Sequence, residues 1–128
     1  MKLRSALLVL SILVPLVAAA DVSGVWEMIL KSDATTIPRL ACTFAQNGQE
    51  LTGSCKPVGA PQSEAVDLTA GKVDGDRVTC QWNVVTPDGQ KWTYELTGKL
   101  DAKNTTMGGT FTLSGGFKGG GSFTGTKQ

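Results

Sequence analysis

Lys91-Trp92-Thr93-Tyr94-Glu95-Leu96-Thr97-Gly98-Lys99-Leu100 decides the fold. Trp92, Tyr94, Leu96, Gly98 and Leu100 share one parity, while Lys91, Thr93, Glu95, Thr97 and Lys99 share the other. A period of two over ten residues marks a strand with one dry face and one wet face. Working outward, the same alternation groups Val78, Cys80, Trp82 and Val84 upstream and Met107, Phe111 and Leu113 downstream. Further from the centre it groups Val66, Leu68 and Ala70, and then Leu40, Cys42 and Phe44. Only the first strand is less clean, with Val25 and Ile29 on the face opposite Trp26, Met28 and Leu30. Beyond residue 21 no apolar period of 3.6 competes, so the chain is read as all-β.

Turn residues set the number of strands. Asn47-Gly48, Asp74-Gly75, Thr86-Pro87-Asp88-Gly89, the 101–104 stretch and Ser114-Gly115-Gly116 each carry the chemistry of a tight reversal. With longer links at 31–38 and 56–63, they predict eight strands near 22–30, 39–46, 50–56, 64–73, 76–85, 90–100, 105–114 and 117–126. A Leu-Thr-Gly or Phe-Thr-Gly signature recurs at Leu51-Thr52-Gly53, Leu96-Thr97-Gly98 and Phe123-Thr124-Gly125. Glycine inside a strand provides no packing of its own, so its repetition points to strong coiling or to a close approach of facing backbone. Eight meandering strands with one dry face each bury that face by closing on themselves, which also removes both edges. The expected architecture is therefore an eight-stranded antiparallel up-and-down β-barrel, with a two-sheet sandwich as the competing arrangement.

A meander sends successive links to alternate ends. The short links at 47–48, 74–75 and 101–104 fall at one end; those at 31–38, 56–63, 86–89 and 114–117 fall at the other, in the company of Pro38, Pro57, Pro61 and Pro87. One end is expected to be closed and the other to be a loop-rich mouth.

Lys2 and Arg4 precede an apolar run from Ala6 to Val17, followed by Ala18-Ala19-Ala20 and the acidic Asp21. That is the layout of a secretory signal peptide, so residues 1–20 are expected to be a leader and 21–128 the barrel domain, exported to the periplasm or the extracellular space. Pro15 and the shortness of the run argue against a membrane anchor, and no membrane association is expected of the mature form. Loss of the leader leaves 108 residues with 10 basic and 11 acidic groups, a near-neutral chain without the basic patch that nucleic acid requires. The chain contains no histidine, which excludes His-based triads and His-ligated zinc and favours a non-enzymatic role without cofactors.

Ser23-Gly24-Val25-Trp26 at the start of the first strand, with the Leu-Thr-Gly-Ser run at Leu51 and the Phe-Thr-Gly-Thr run at Phe123, resembles the calycin superfamily of lipocalins and avidins. The chain is similar as well to small exported bacterial barrel domains of unassigned function. The resemblance implies a barrel with a ligand held inside and Trp26 packed under the closed end. It does not extend to biotin: Met28, Cys55, Pro57 and Gly121 stand where avidins place polar ligand contacts. A ureido group buried without such partners loses about 1 to 3 kcal/mol for each unsatisfied group. The same opening resembles periplasmic inhibitors of bacterial metalloproteases, which insert an N-terminal segment into the protease cleft. Here only Asp21 and Val22 precede Ser23 in the expected mature chain, a short trunk for that task.

Cys42 and Cys55 lie on the two arms of the Asn47-Gly48 hairpin with inward parity, either opposite each other or offset by one pair, and an oxidising compartment would join them. Cys80 remains over, as a buried thiol in preference to a nucleophile, and a three-cysteine metal site is the less favoured reading. Parity sends Trp26, Phe44, Trp82, Trp92, Tyr94, Phe111 and Phe123 inward. They either fill the barrel or line a pocket in which Gly53, Gly98 and Gly109 leave room beside the rings. Trp82 and Trp92 flank the Pro87-Asp88-Gly89 turn at the mouth, and with Tyr94 and Phe111 they are the candidate ligand-binding residues. Asp74 and Asp76 match no calcium-loop spacing, and no metal site is expected. Glu27 is assigned outward, and the glycine run at 115–121 is read as a flexible lip beside the mouth rather than a phosphate loop. The expected function is binding of a small apolar or aromatic molecule; the alternative is a protein-binding module such as an inhibitor of an exported protease.

Overall fold

The computed structural model describes residues 20–32, 37–59, 64–115 and 118–128. They form eight antiparallel strands: β1 (Gly24–Ser32), β2 (Leu40–Asn47), β3 (Glu50–Pro57), β4 (Val66–Asp74), β5 (Arg77–Val85), β6 (Lys91–Leu100), β7 (Thr106–Gly115) and β8 (Gly119–Lys127). Each strand pairs with its neighbours in chain order, and β1 pairs with β8 from Trp26↔Lys127 to Ser32↔Gly121, so the sheet is a closed up-and-down barrel rather than a sandwich. Closure follows from the inward parity: Trp26, Met28, Leu30, Leu51, Leu96, Leu100, Met107, Phe111 and Phe123 are all buried in one core. On the outside of β1, Val25 is 44% exposed, which accounts for the poor alternation there.

The hairpins at the closed end are tight. Asn47 pairs with Glu50 and Asp74 with Arg77, so the loops are Gly48-Gln49 and Gly75-Asp76, one residue later than the Asn-Gly and Asp-Gly dipeptides suggest. Gly48 (φ 63°) and Gly75 (φ 61°) supply the left-handed backbone those turns need. The β6–β7 turn is held by Asp101, whose Oδ1 accepts from the amides of Thr105 (2.8 Å) and Thr106 (3.0 Å).

The structure corrects two of the sequence expectations and decides an alternative left open at a third position. A register shift between Leu68 and Ala70 makes Ala70 oppose Gln81 and Gly71 oppose Cys80, so Ala70 faces out while Gly71 and Val73 take the inward places. An extra residue in one strand reverses every parity beyond it. Gly119, Gly120 and Gly121 are no lip; they are the start of β8, paired with Leu113, Thr112 and Phe111. Of the rest of that stretch, Gly115 ends β7, Lys118 precedes β8, and Gly116 and Phe117 lie outside the described residues. Finally, Gly98 leaves no free space, because a Cβ placed there would come within 2.5 Å of Phe123 Cζ. At Gly121 the Lys31 carbonyl oxygen makes the closest approach to a Cβ position, with Phe111 Cε1 at 3.0 Å, and Met28 and Met107 fill the place above Gly125. Gly98 and Gly125 thus act as seats for large side chains, whereas at Gly53, Gly71 and Gly109 the backbone carbonyl of a neighbouring strand makes the close approach. The inner face is therefore packed at these glycines, beneath the mouth.

The closed end carries a further fastening. Val22, wholly buried, donates its amide to Gln46 Oε1 (2.9 Å) and accepts from Trp26 Nε1 (2.8 Å). Gln46 Nε2 donates to the carbonyls of Ala20 (3.0 Å) and Gly48 (2.9 Å), drawing the segment before β1 across the barrel end. Trp26 therefore packs under the closed end.

Candidate functional site at the loop-rich mouth

A cavity of about 290 Å³ opens at the loop-rich end. The meander dictates its walls. Strand β2 leaves the mouth with Ile37, Pro38 and Leu40; β3 returns to it with Cys55 and Pro57; β4 leaves beside Glu64 and Val66; β5 returns with Trp82 and Val84; β6 leaves with Tyr94. Trp82 and Tyr94 are cross-strand partners on the inner face, and their rings stack at 5.2 Å between centroids and 7° between planes. Such offset pairs contribute roughly 0.5–1.5 kcal/mol beyond the area they bury. Trp82 is buried and Tyr94 half-buried, so the tyrosine presents the accessible part of the pair to the cavity. Burial of Tyr94 pushes its hydroxyl above the usual tyrosine range, so the group stays protonated and able to donate a hydrogen bond at neutral pH.

Of the four residues singled out from the sequence, the structure brings two together here. Trp92 pairs with Val84 one step nearer the rim, half-buried, with Nε1 directed to Gln90 Oε1 at 3.5 Å. Phe111 sits lower in the core opposite Leu96 and above Gly121. Ile37, Leu40, Cys55, Pro57, Glu64 and Val66 were missed as lining residues. Leu40 and Cys55 already had inward parity, and placing that parity at the mouth end of β2 and β3 would have found them; Ile37 and Glu64 sit outside the strands, where alternation carries no signal.

The disulfide joins Cys42 to Cys55, which are directly opposed in the β2–β3 register, so the offset alternative is excluded and one wall of the mouth is covalently fixed. Cys80 is buried opposite Leu96, and desolvation pushes its thiol up to about 12. A thiol with such a pKa forms little thiolate and is chemically quiet.

Glu27 faces outward, paired with Arg39 at 3.3 Å, and Glu95 is exposed on the outer face of β6. Asp76 meets Lys99 at 3.5 Å. Among the described residues no group of three or more Cys, Asp or Glu side chains converges as a metal centre. A larger groove of about 1040 Å³ runs across the opposite end, walled by Ala20, Gly75, Asp76 and the Lys99–Gly108 region. It is the poorer candidate despite its size, because no aromatic ring lines it and its carboxylates are already engaged. Asp76 has Lys99, and Asp101 has the Thr105 and Thr106 amides.

The fold and site together define a closed eight-stranded meander barrel with an apolar, aromatic mouth, an architecture compatible with a calycin-like fold. No protein-family model matches the chain, and no curated protein matches it.

Proposed function

We propose that the protein is an exported, non-enzymatic barrel that holds a small, largely apolar or aromatic molecule at its loop-rich mouth. The observation that carries this reading is the stacked Trp82–Tyr94 pair forming one wall of a largely apolar cavity of about 290 Å³. That volume lies at the lower end of ligand sites, about 300–1,000 Å³, so the ligand is small and is held by ring burial rather than by a deep calyx. Export rests on the leader-like residues 1–20, and the Cys42–Cys55 disulfide fits an oxidising compartment. The protease-inhibitor alternative calls for a free N-terminal trunk, whereas Val22 is wholly buried and tied to Gln46. That seating favours the ligand reading.

The test is a ligand screen followed by tryptophan emission, in the parent and in Trp82→Phe and Trp92→Phe variants. A mouth ligand changes emission in the parent and in Trp92→Phe, and the change shrinks in Trp82→Phe. A response that persists unaltered in Trp82→Phe, or no response from any small aromatic compound, would overturn the proposal.

A further inference from the structure

We infer that the mouth prefers an aromatic ligand that carries a positive charge. This rests on the proposal that the mouth is a ligand site, and adds to it the charge class of the ligand.

Glu64 is the one charged side chain among the described residues that line the cavity, and no lysine or arginine joins it there. The rest of the lining is aliphatic or aromatic, apart from the Tyr94 hydroxyl and backbone. Arg39, close in sequence to the lining residues Pro38 and Leu40, points away and is engaged by Glu27 at 3.3 Å. A carboxylate at the edge of a low-polarity cavity attracts a cation and repels an anion, and low-dielectric walls strengthen both effects. The stacked pair acts in the same sense. The face of an aromatic ring is negative, and Tyr94 is the half-buried member, leaving ring surface open to a guest. A ring-bearing ammonium can therefore place its ring against the aliphatic wall and its charge between Glu64 and Tyr94, a cation–π contact joined to an ion pair. An anionic ring would meet only repulsion there.

The experiment is a calorimetric titration of the full chain with three naphthalene probes of matched size: 2-naphthylmethylammonium, 2-naphthalenemethanol and 2-naphthoate. The ammonium is expected to bind about five- to tenfold tighter than the alcohol, as a cation–π contact with a partly screened ion pair implies, and naphthoate is expected to be weakest. Glu64→Gln, at an exposed position and with its fold checked by circular dichroism, should bring the ammonium and the alcohol together without weakening the alcohol. Tyr94→Phe, which keeps the ring, should preserve the preference. If the alcohol binds at the mouth and the ammonium binds no tighter, or if Glu64→Gln leaves the preference unchanged, the charge assignment is wrong while the mouth survives as a site. If none of the three binds, both fall.

Discussion

Replacing Gly98 with alanine sets a methyl group against the Phe123 ring, and the cost can be worked from the geometry. The new Cβ would lie 2.5 Å from Phe123 Cζ and 3.2 Å from Cε1, with the Gly108 carbonyl oxygen at 3.0 Å. Contacts this short force the ring to move, and overpacking of a filled core costs about 1–3 kcal/mol. Gly98 does not have a positive φ, so alanine suits its backbone and recovers about 0.4–1 kcal/mol through the unfolded chain. The net loss should be about 1–2 kcal/mol, which for a domain near this size lowers Tm by roughly 4–16 °C. Thermal and urea unfolding followed by circular dichroism measures it. The decisive arm is a double-mutant cycle with Phe123→Leu. Gly98 is opposite Gly109 on β7, and Gly109 is opposite Phe123 on β8, so the ring reaches its seat across an intervening strand. Removing the ring should recover most of the Gly98→Ala cost, a coupling of about 1 kcal/mol or more; additivity within about 0.5 kcal/mol would show that glycine does not seat the ring.

Three further outcomes follow from individual residues. Cys42→Ser/Cys55→Ser, or reduction of the parent chain, opens a link with a sequence separation of 13. It should lower stability by about 3 kcal/mol in the loop-entropy model, read as a loss of urea midpoint, and an unchanged midpoint would contradict it. The amides of Thr106 and then Thr105 hold the Asp101 carboxyl below the usual carboxylate range. Its folded pKa is depressed, so its stabilisation is present above the unfolded value, about 4, and fades as pH falls through the folded one. Parent and Asp101→Asn should therefore differ in Tm near neutrality and draw closer in acid, whereas a constant gap would refute the linkage. Cys80, buried with its thiol pushed up to about 12, should resist a thiol reagent at pH 8 in the native protein and react fully in denaturant. Rapid native labelling would contradict that burial.

The strands and their closure were legible because burial on one face imposes a period of two, and β6 shows it without a break from Lys91 to Leu100. The opposed cysteines were legible for a related reason, since hairpin register leaves few choices once the turn is located. The β4 bulge was not. Leu68, Thr69, Ala70 and Gly71 alternate no less plausibly in the wrong register, and only the pairing of Gly71 with Cys80 reveals the slip. Whether the inner glycines left room or were filled stayed open in the sequence, because parity says which face a residue takes but not which distant group fills the space above it. The Gln46 fastening depends on a side chain meeting a segment more than twenty residues earlier, a contact with no local signature. At the mouth, Trp82 and Tyr94 were found by parity and turn position together. Phe111 shared the parity but not the height along the barrel, and its place against Gly121 puts it in the packed core.

The most direct measurement is the map of backbone amide shifts when a small aromatic fragment is titrated into isotopically labelled protein. The account predicts that perturbed amides cluster at Leu40, Cys55, Val66, Trp82, Val84 and Tyr94, with Tyr94→Ala weakening the response. A cluster at Gly75, Leu100 and Met107 instead, around the groove of the opposite end, would contradict it.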